Sequence, residues 1–132
     1  IHEATWREVE ERFGFTNRRR FLLVGLKDAL ASLRKAGCRR AYVDGSFVTA
    51  KIEPGDFDAC WEADGVDPDI LDPVLLEFSN RRAAQKEKFG GEMFVANSAA
   101  APSGIRFLDF FQCDKDGNPK GIVSLKLMEH SP

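Results

Sequence analysis

A chain of 132 residues, 43% apolar and 30% charged, can bury one hydrophobic core but not two, and that composition excludes an intrinsically disordered chain. No apolar run approaches the roughly 20 residues of a membrane helix, and no leader pattern is visible, so neither a membrane partner nor secretion is expected. The net charge of −2 conceals an asymmetry: residues 1–40 carry ten Lys/Arg against five Asp/Glu, and residues 41–80 one against ten. A basic first third beside an acidic middle suits a site for metal and polyphosphate; solvated helix faces of opposite sign explain it equally well. Cys38, Cys60 and Cys113 are odd in number and form no C-x-x-C pair, which favours reduced thiols and a cytoplasmic location over disulfides or zinc. The chain opens on Ile1 rather than a methionine, leaving room for residues upstream.

In chain order, "TWREVEERF" sets Glu8 three residues after Thr5, the capping-box spacing, so a short helix starts there. "TNRRRFLLVGLKDALASLRKAG" reads as a longer helix capped by Thr16 or Asn17. Its apolar stripe is Phe21, Val24, Leu26, Leu30 and Leu33, and Gly37 ends it. "RRAYVD" is a buried strand broken by Gly45-Ser46; "FVTAK" has the makings of one helical turn, and "IEPGD" is turn chemistry. "DFDACWE" alternates as a second strand. A helix opened by Pro68 and Asp69 is expected through "DILDPVLLEF", interrupted or restarted at Pro73, then another over "SNRRAAQKEKFGG" with Ser79 as cap and a glycine stop. "EMFVAN" is a third strand, "IRFLDFFQ" a short helix or a strand, "DKDGNPKG" a turn and "IVSLKL" the last strand. The expected fold class is mixed α/β (α+β): one domain over residues 1–132, with N-terminal helices in 1–37 and a small helix-flanked mixed sheet in 38–132.

Carboxylates are poor strand formers and costly to bury, so a strand carrying Asp56 and Asp58 needs a reason. Alternate strand residues share a face, which sets these two hard oxygen donors about 7 Å apart along the backbone, within reach of one or two Mg²⁺ ions. A third carboxylate from a neighbouring strand would complete a two-metal site. Glu92 is best placed, with Asp109 and Asp44 behind it. Gly45 permits close backbone approach, Ser46 offers a hydroxyl and an N–H to phosphate, and Lys51 is the one cation between residues 41 and 80. These parts suit in-line displacement at a nucleotide phosphate.

Gly45-Ser46, nine intervening residues and Asp56-Phe57-Asp58 resemble the signature of the polymerase-beta-like nucleotidyltransferase superfamily, in which a third acid follows on a later strand. Glu92 lies 34 positions after Asp58, a separation like that in the minimal members. "HEATW…EVEERF", "DGSFVTAK…PGDFDA", "GEMFVANS" and "FFQCDKDGNPKGIV" also resemble, over nearly the whole chain, a family of small bacterial nucleotidyltransferase-like proteins of unknown function. Those are often found in toxin–antitoxin-like or phage-defence settings. The resemblance implies Mg²⁺ or Mn²⁺ held by Asp56, Asp58 and Glu92, and an NTP gripped at Gly45 and Ser46. Thr49 and Lys51 match only the smaller family. It also implies transfer of a nucleoside monophosphate to a hydroxyl of tRNA, a protein or a small molecule. The third acid is often aspartate in the superfamily, so Glu92 as base or as ligand is open. No large partner domain follows the core, so the acceptor surface falls to the N-terminal helices, a second subunit in a homodimer, or another protein such as a cognate antitoxin or regulator.

Competing readings remain. A lone D-x-D is commonly an exposed edge strand, Glu92 is equally readable as a surface residue at a strand end, and Lys51 as a solvated lysine. Arg18, Arg19 and Arg20 would bind RNA or simply solvate a helix start, although three cations there oppose the helix dipole. "FLDFF", Trp6 and Trp61 read as core, Arg39 and Arg40 as structural, and Cys38 as the thiol to test for reactivity. The alternative to an enzyme is a catalytically degenerate transferase fold that serves as a protein-binding module.

Overall fold

A computed structural model describes residues 2–44, 57–98, 100, 103–112 and 121–127. Among them, five strands form one mixed sheet, with four helices around it. The elements run β1 (His2–Ala4), α1 (Trp6–Phe13), α2 (Asn17–Lys35), β2 (Arg40–Asp44), β3 (Phe57–Trp61), α3 (Ser79–Phe89), β4 (Gly91–Val95), α4 (Phe107–Phe110) and β5 (Val123–Lys126). Their spatial order is β1-β5-β2-β3-β4. β2 is antiparallel to both β5 and β3, while β1–β5 and β3–β4 are parallel pairs.

The two N-terminal helices form where the local chemistry places them. Thr5 Oγ1 accepts from the Glu8 N–H at 3.1 Å while Thr5 N–H donates to Glu8 Oε1 at 3.0 Å, closing the capping box of α1. Thr16 caps α2 by accepting from the Arg19 N–H at 3.1 Å. The buried stripe of α2 is Leu22, Leu23, Leu26, Ala29, Leu30 and Leu33, whereas Phe21 and Val24 are 65% and 63% exposed. The expected stripe was right from Leu26 onward and a fraction of a turn off before it. "RFLLVGL" has apolar residues on two adjacent faces, and only packing chooses between them.

Two other expectations are corrected. No α-helix spans "DILDPVLLEF"; the chain does restart at Pro73, but only as one 3₁₀ turn over Pro73–Leu76. Pro73 lacks an N–H and restricts the residue before it, so Asp72 serves as cap by accepting from the Val74 N–H at 3.0 Å. Ser79 is the first residue of α3 rather than its cap, and its hydroxyl donates to Glu77. His2–Ala4 form an edge strand that carried no alternation to read. "IRFLDFFQ" resolves as the short helix α4, and Gly90, at φ +86°, ends α3 in the left-handed conformation glycine adopts most easily. "FVTAK", "IEPGD" and most of "DKDGNPKG" lie outside the described residues.

Successive strand residues face opposite sides, and the two sides differ. Ala41, Val43, Phe57, Ala59, Trp61, Met93, Val123 and Leu125 join Trp6, Val9, Phe13 and the leucines of α2 in the main core. Tyr42, Cys60 and Phe94 look the other way, into a smaller cluster with Phe111, Ile122 and Phe107. Phe107 and Phe111 sit 4.6 and 5.0 Å from the Phe94 ring; of "FLDFF", Phe111 is buried, Phe107 and Leu108 pack partly buried against that cluster, and Asp109 and Phe110 are about half exposed.

Candidate functional site

The second face of the sheet carries the acids. The β2–β3 register pairs Asp44 with Asp58, and the β3–β4 register pairs Asp58 with Glu92. Register partners share a face, so these three carboxylates form one row across three strands, with Cβ atoms about 4.5–5.5 Å apart between neighbours. Asp44 is 3% exposed, Asp58 is half-buried, and the Glu92 side chain is 20% exposed. The next row along the same face is Tyr42, Cys60 and Phe94. In sequence, residues 45–56, which include Gly45, Ser46, Thr49, Lys51 and Asp56, connect β2 to β3. All five of those site residues lie outside the described residues.

A pair of glycines delivers Glu92 to the row. Gly90 turns the chain out of α3, and Gly91 packs so closely on β3 that a Cβ there would lie 2.4 Å from the Phe57 carbonyl oxygen. Behind this corner, Gly25 of α2 lets the Phe89 backbone approach to where a Cβ would meet its oxygen at 1.8 Å. α3 is thereby pinned along β4. Gln85, fully buried, accepts from the Met93 N–H at 2.7 Å and donates to the Leu75 carbonyl at 3.3 Å.

From that position α3 reaches around the sheet edge. Lys86 Nζ lies 2.9 Å from Glu92 Oε1. One turn earlier, the Arg82 guanidinium stacks over Phe94 at 3.9 Å from its centroid, with Phe78 and Phe107 at 5.3 and 5.6 Å. Burial lowers the Arg82 pKa, and the Glu92 charge opposes that shift. Neither cation was singled out in the sequence; their four-residue spacing on the helix before the third acid was the available signal. Lys86 also lines a cleft of about 400 Å³ between α2 and α3, together with Arg18, Phe21 and Val24.

Other candidates fall elsewhere. Asp109 is on α4, ion-paired with Arg106 at 2.8 Å, and so is not on a strand in register with the row. Of the three consecutive arginines, Arg19 is fully buried and donates to the Phe13 carbonyl, Arg20 donates to the Gly14 carbonyl at 2.9 Å, and Arg18 lies over Phe21. Arg40 bridges Ser124 and Glu62, a structural role.

Among the described residues, no three His, Cys, Asp or Glu side chains converge as a metal-holding group. The row's donor chemistry nonetheless fits a hard divalent cation: oxygen donors alone, three deep, with like charges adjacent unless a cation or proton intervenes. Of the row, Asp58 and Glu92 would offer oxygen donors to such an ion, with Asp44 beside Asp58.

The thiols behave unlike reactive cysteines. Burial pushes Cys38 up to about 11, and its S–H points at the Arg40 and Glu62 carbonyls; burial and the neighbouring Asp44 and Glu62 charges push Cys60 up to about 12. The folded protein is therefore expected to alkylate at these two positions at least about 100-fold more slowly at pH 8 than a free thiol of pKa near 8.5. Iodoacetamide labelling with site-resolved mass spectrometry checks this; rapid native labelling of Cys38 would contradict it.

The fold and site thus define a class: a mixed α+β domain whose five-stranded sheet bears a row of three carboxylates edged by two cations from one helix. The chain belongs to DUF6932, a family of unknown function, whose model matches residues 1–126. No curated protein and no solved structure matches it. Among the described residues, no helix is long and apolar enough to cross a membrane.

Proposed function

We propose that the protein is a metal-dependent nucleotidyltransferase with a polymerase-beta-like core, moving a nucleoside monophosphate from an NTP to an acceptor hydroxyl. The observation that carries this reading is the registered row Asp44–Asp58–Glu92. A Gly-Ser pair before an acid-apolar-acid strand, with a third acid on a later strand, is the arrangement that the sequence resemblance calls for, and the β3–β4 pairing that sets Glu92 opposite Asp58 supports it. Bound divalent ions would lower the pKa of the acceptor hydroxyl and neutralise the triphosphate. The chain's own contribution is to hold and orient. Asp56 and Asp58 supply the oxygen donors, Ser46 and the Gly45 backbone receive the phosphate tail, and Glu92 accepts the hydroxyl proton. As the acceptor oxygen bonds to the α-phosphorus, the bond to the pyrophosphate oxygen breaks in line, and pyrophosphate leaves.

The test is incubation with labelled NTPs, Mg²⁺ or Mn²⁺, and total cellular RNA and protein. Label is expected on one acceptor class, in the manner of a toxin acting on tRNA or a protein. No transfer with any NTP, metal or acceptor class overturns the reading. One observation favours a second reading, a degenerate fold that binds a protein such as an antitoxin: Glu92 is already ion-paired with Lys86. Mg²⁺ with a non-hydrolysable NTP raises the melting temperature under the first reading and leaves it unmoved under the second.

A further inference from the structure

The acidic row explains where cations would sit, but a triphosphate brought to three carboxylates meets repulsion from each of them. α3 answers that problem with Arg82 and Lys86, one turn apart and both directed around the β4 edge toward the face that carries the row. Arg82 stands out in three ways. Its backbone lies at φ +60°, a conformation unusual for a residue with a side chain. Its guanidinium is stacked among the Phe78, Phe94 and Phe107 rings, and the buried Nε has no hydrogen-bond partner among the described residues. Phe94 is two residues after Glu92 on β4, so the planar fork is held next to the acid without forming an ion pair with it among the described residues. Lys86, by contrast, is engaged with Glu92.

We propose that Arg82 and Lys86 form a polyphosphate clamp: the Arg82 fork takes two oxygens of the terminal phosphates of a nucleoside triphosphate, and Lys86 exchanges Glu92 for the same phosphates. Guanidinium matches phosphate oxygens in pairs, while an ammonium is a mobile point charge able to change partners. The exchange frees the Glu92 carboxylate as the phosphate arrives. Polyphosphate at the clamp and a divalent ion at the row therefore favour one another, and the coupling is reciprocal. The clamp rests on the transferase reading only for the identity of the ligand as a nucleotide; its chemistry is that of any inorganic triphosphate.

Calorimetric titration of the intact protein with inorganic triphosphate, first without divalent metal and then with Mg²⁺, tests it on wild type, Arg82→Gln, Lys86→Met and Asp58→Asn. Losing charge-assisted hydrogen bonds should weaken binding about tenfold or more in each of the first two variants. Asp58→Asn should bind metal-free triphosphate at least as tightly as wild type, because one repulsive charge is gone, and should lose the Mg²⁺-dependent gain. Melting curves monitor folding; should Arg82→Gln unfold, Lys86→Met decides, since that side chain is 41% exposed. No triphosphate binding by wild type, or equal binding by wild type and both clamp variants, overturns the clamp. Tighter retention of a single-stranded oligonucleotide through the same two residues also overturns it, by making the ligand a nucleic-acid backbone. Triphosphate binding through Arg82 and Lys86 without any nucleotidyl transfer leaves the clamp standing and removes the transferase. Transfer with unchanged KM for NTP in both variants does the reverse.

Discussion

Asp58→Asn is expected to reduce nucleotidyl transfer by about 10³-fold while raising the melting temperature of the metal-free protein. Under the proposed transferase reading, losing the central donor would remove several kcal/mol of electrostatic stabilisation from the transferring phosphate, and every 1.36 kcal/mol is a factor of ten. Stability should move the other way because Asp58 stands between Asp44 and Glu92, directly opposite both. Like charges facing each other across strands cost roughly 0.2–1 kcal/mol per pair, and asparagine relieves two such pairs without changing shape. Glu92→Gln relieves one such pair but surrenders the Lys86 ion pair, so it should gain less than Asp58→Asn. Mg²⁺ should raise the wild-type melting temperature and leave that of Asp58→Asn unmoved. Differential scanning fluorimetry with and without Mg²⁺, beside the labelled-NTP assay, reads all of this. A destabilised, fully active Asp58→Asn would mean that the row is structural.

Gly25→Ala should be the most damaging single-methyl change among the described glycines. A Cβ at Gly25 would sit 1.8 Å from the Phe89 carbonyl oxygen and 2.6 Å from its carbonyl carbon. Both are backbone atoms, so no rotamer relieves the clash, and α2 must separate from the α3–β4 corner. Overpacking of this kind costs typically about 1–3 kcal/mol, occasionally more, and the backbone contact puts Gly25→Ala at the upper end. Alanine's better helix propensity returns at most about 1 kcal/mol. A net loss of about 2 kcal/mol or more is expected in urea unfolding, with nucleotide-dependent effects weakened because the displaced corner carries Lys86, Gly90 and Glu92. Gly121→Ala is the control: among the described residues nothing lies within 4 Å of a Cβ placed there, so it should stay within about 0.5 kcal/mol of wild type. Equal stability of the two variants would show that α2 and α3 are not held as closely as the fold requires.

Much of the fold was legible because its signals are local. The capping box at Thr5 and Glu8, the cap at Thr16, the glycine stop at Gly90 and the alternation in β3 each depend on residues within one or two turns of chain. Where the chain offered two faces, as in "RFLLVGL", or a helix former followed by Pro73, local preference left the outcome to packing. The three-residue strand β1 had too few residues for a period to exist, and it forms only because β5 is there to pair with it.

For the site, the sequence by itself determined the ingredients: hard carboxylate donors on strands, a Gly-Ser pair before them, and an acid opening a later strand. Only the tertiary structure decided that Asp44, third in line from the sequence, stands in register with Asp58 and Glu92, and that Asp109 does not. It also decided that Arg19 is buried rather than displayed, and that Arg82 and Lys86 curl around the β4 edge to the acidic face. The physical reason is that strand register and helix docking are set by long-range pairing and by close approaches such as Gly25 on Phe89. Those depend on which surfaces meet, and no window of neighbouring residues contains that information.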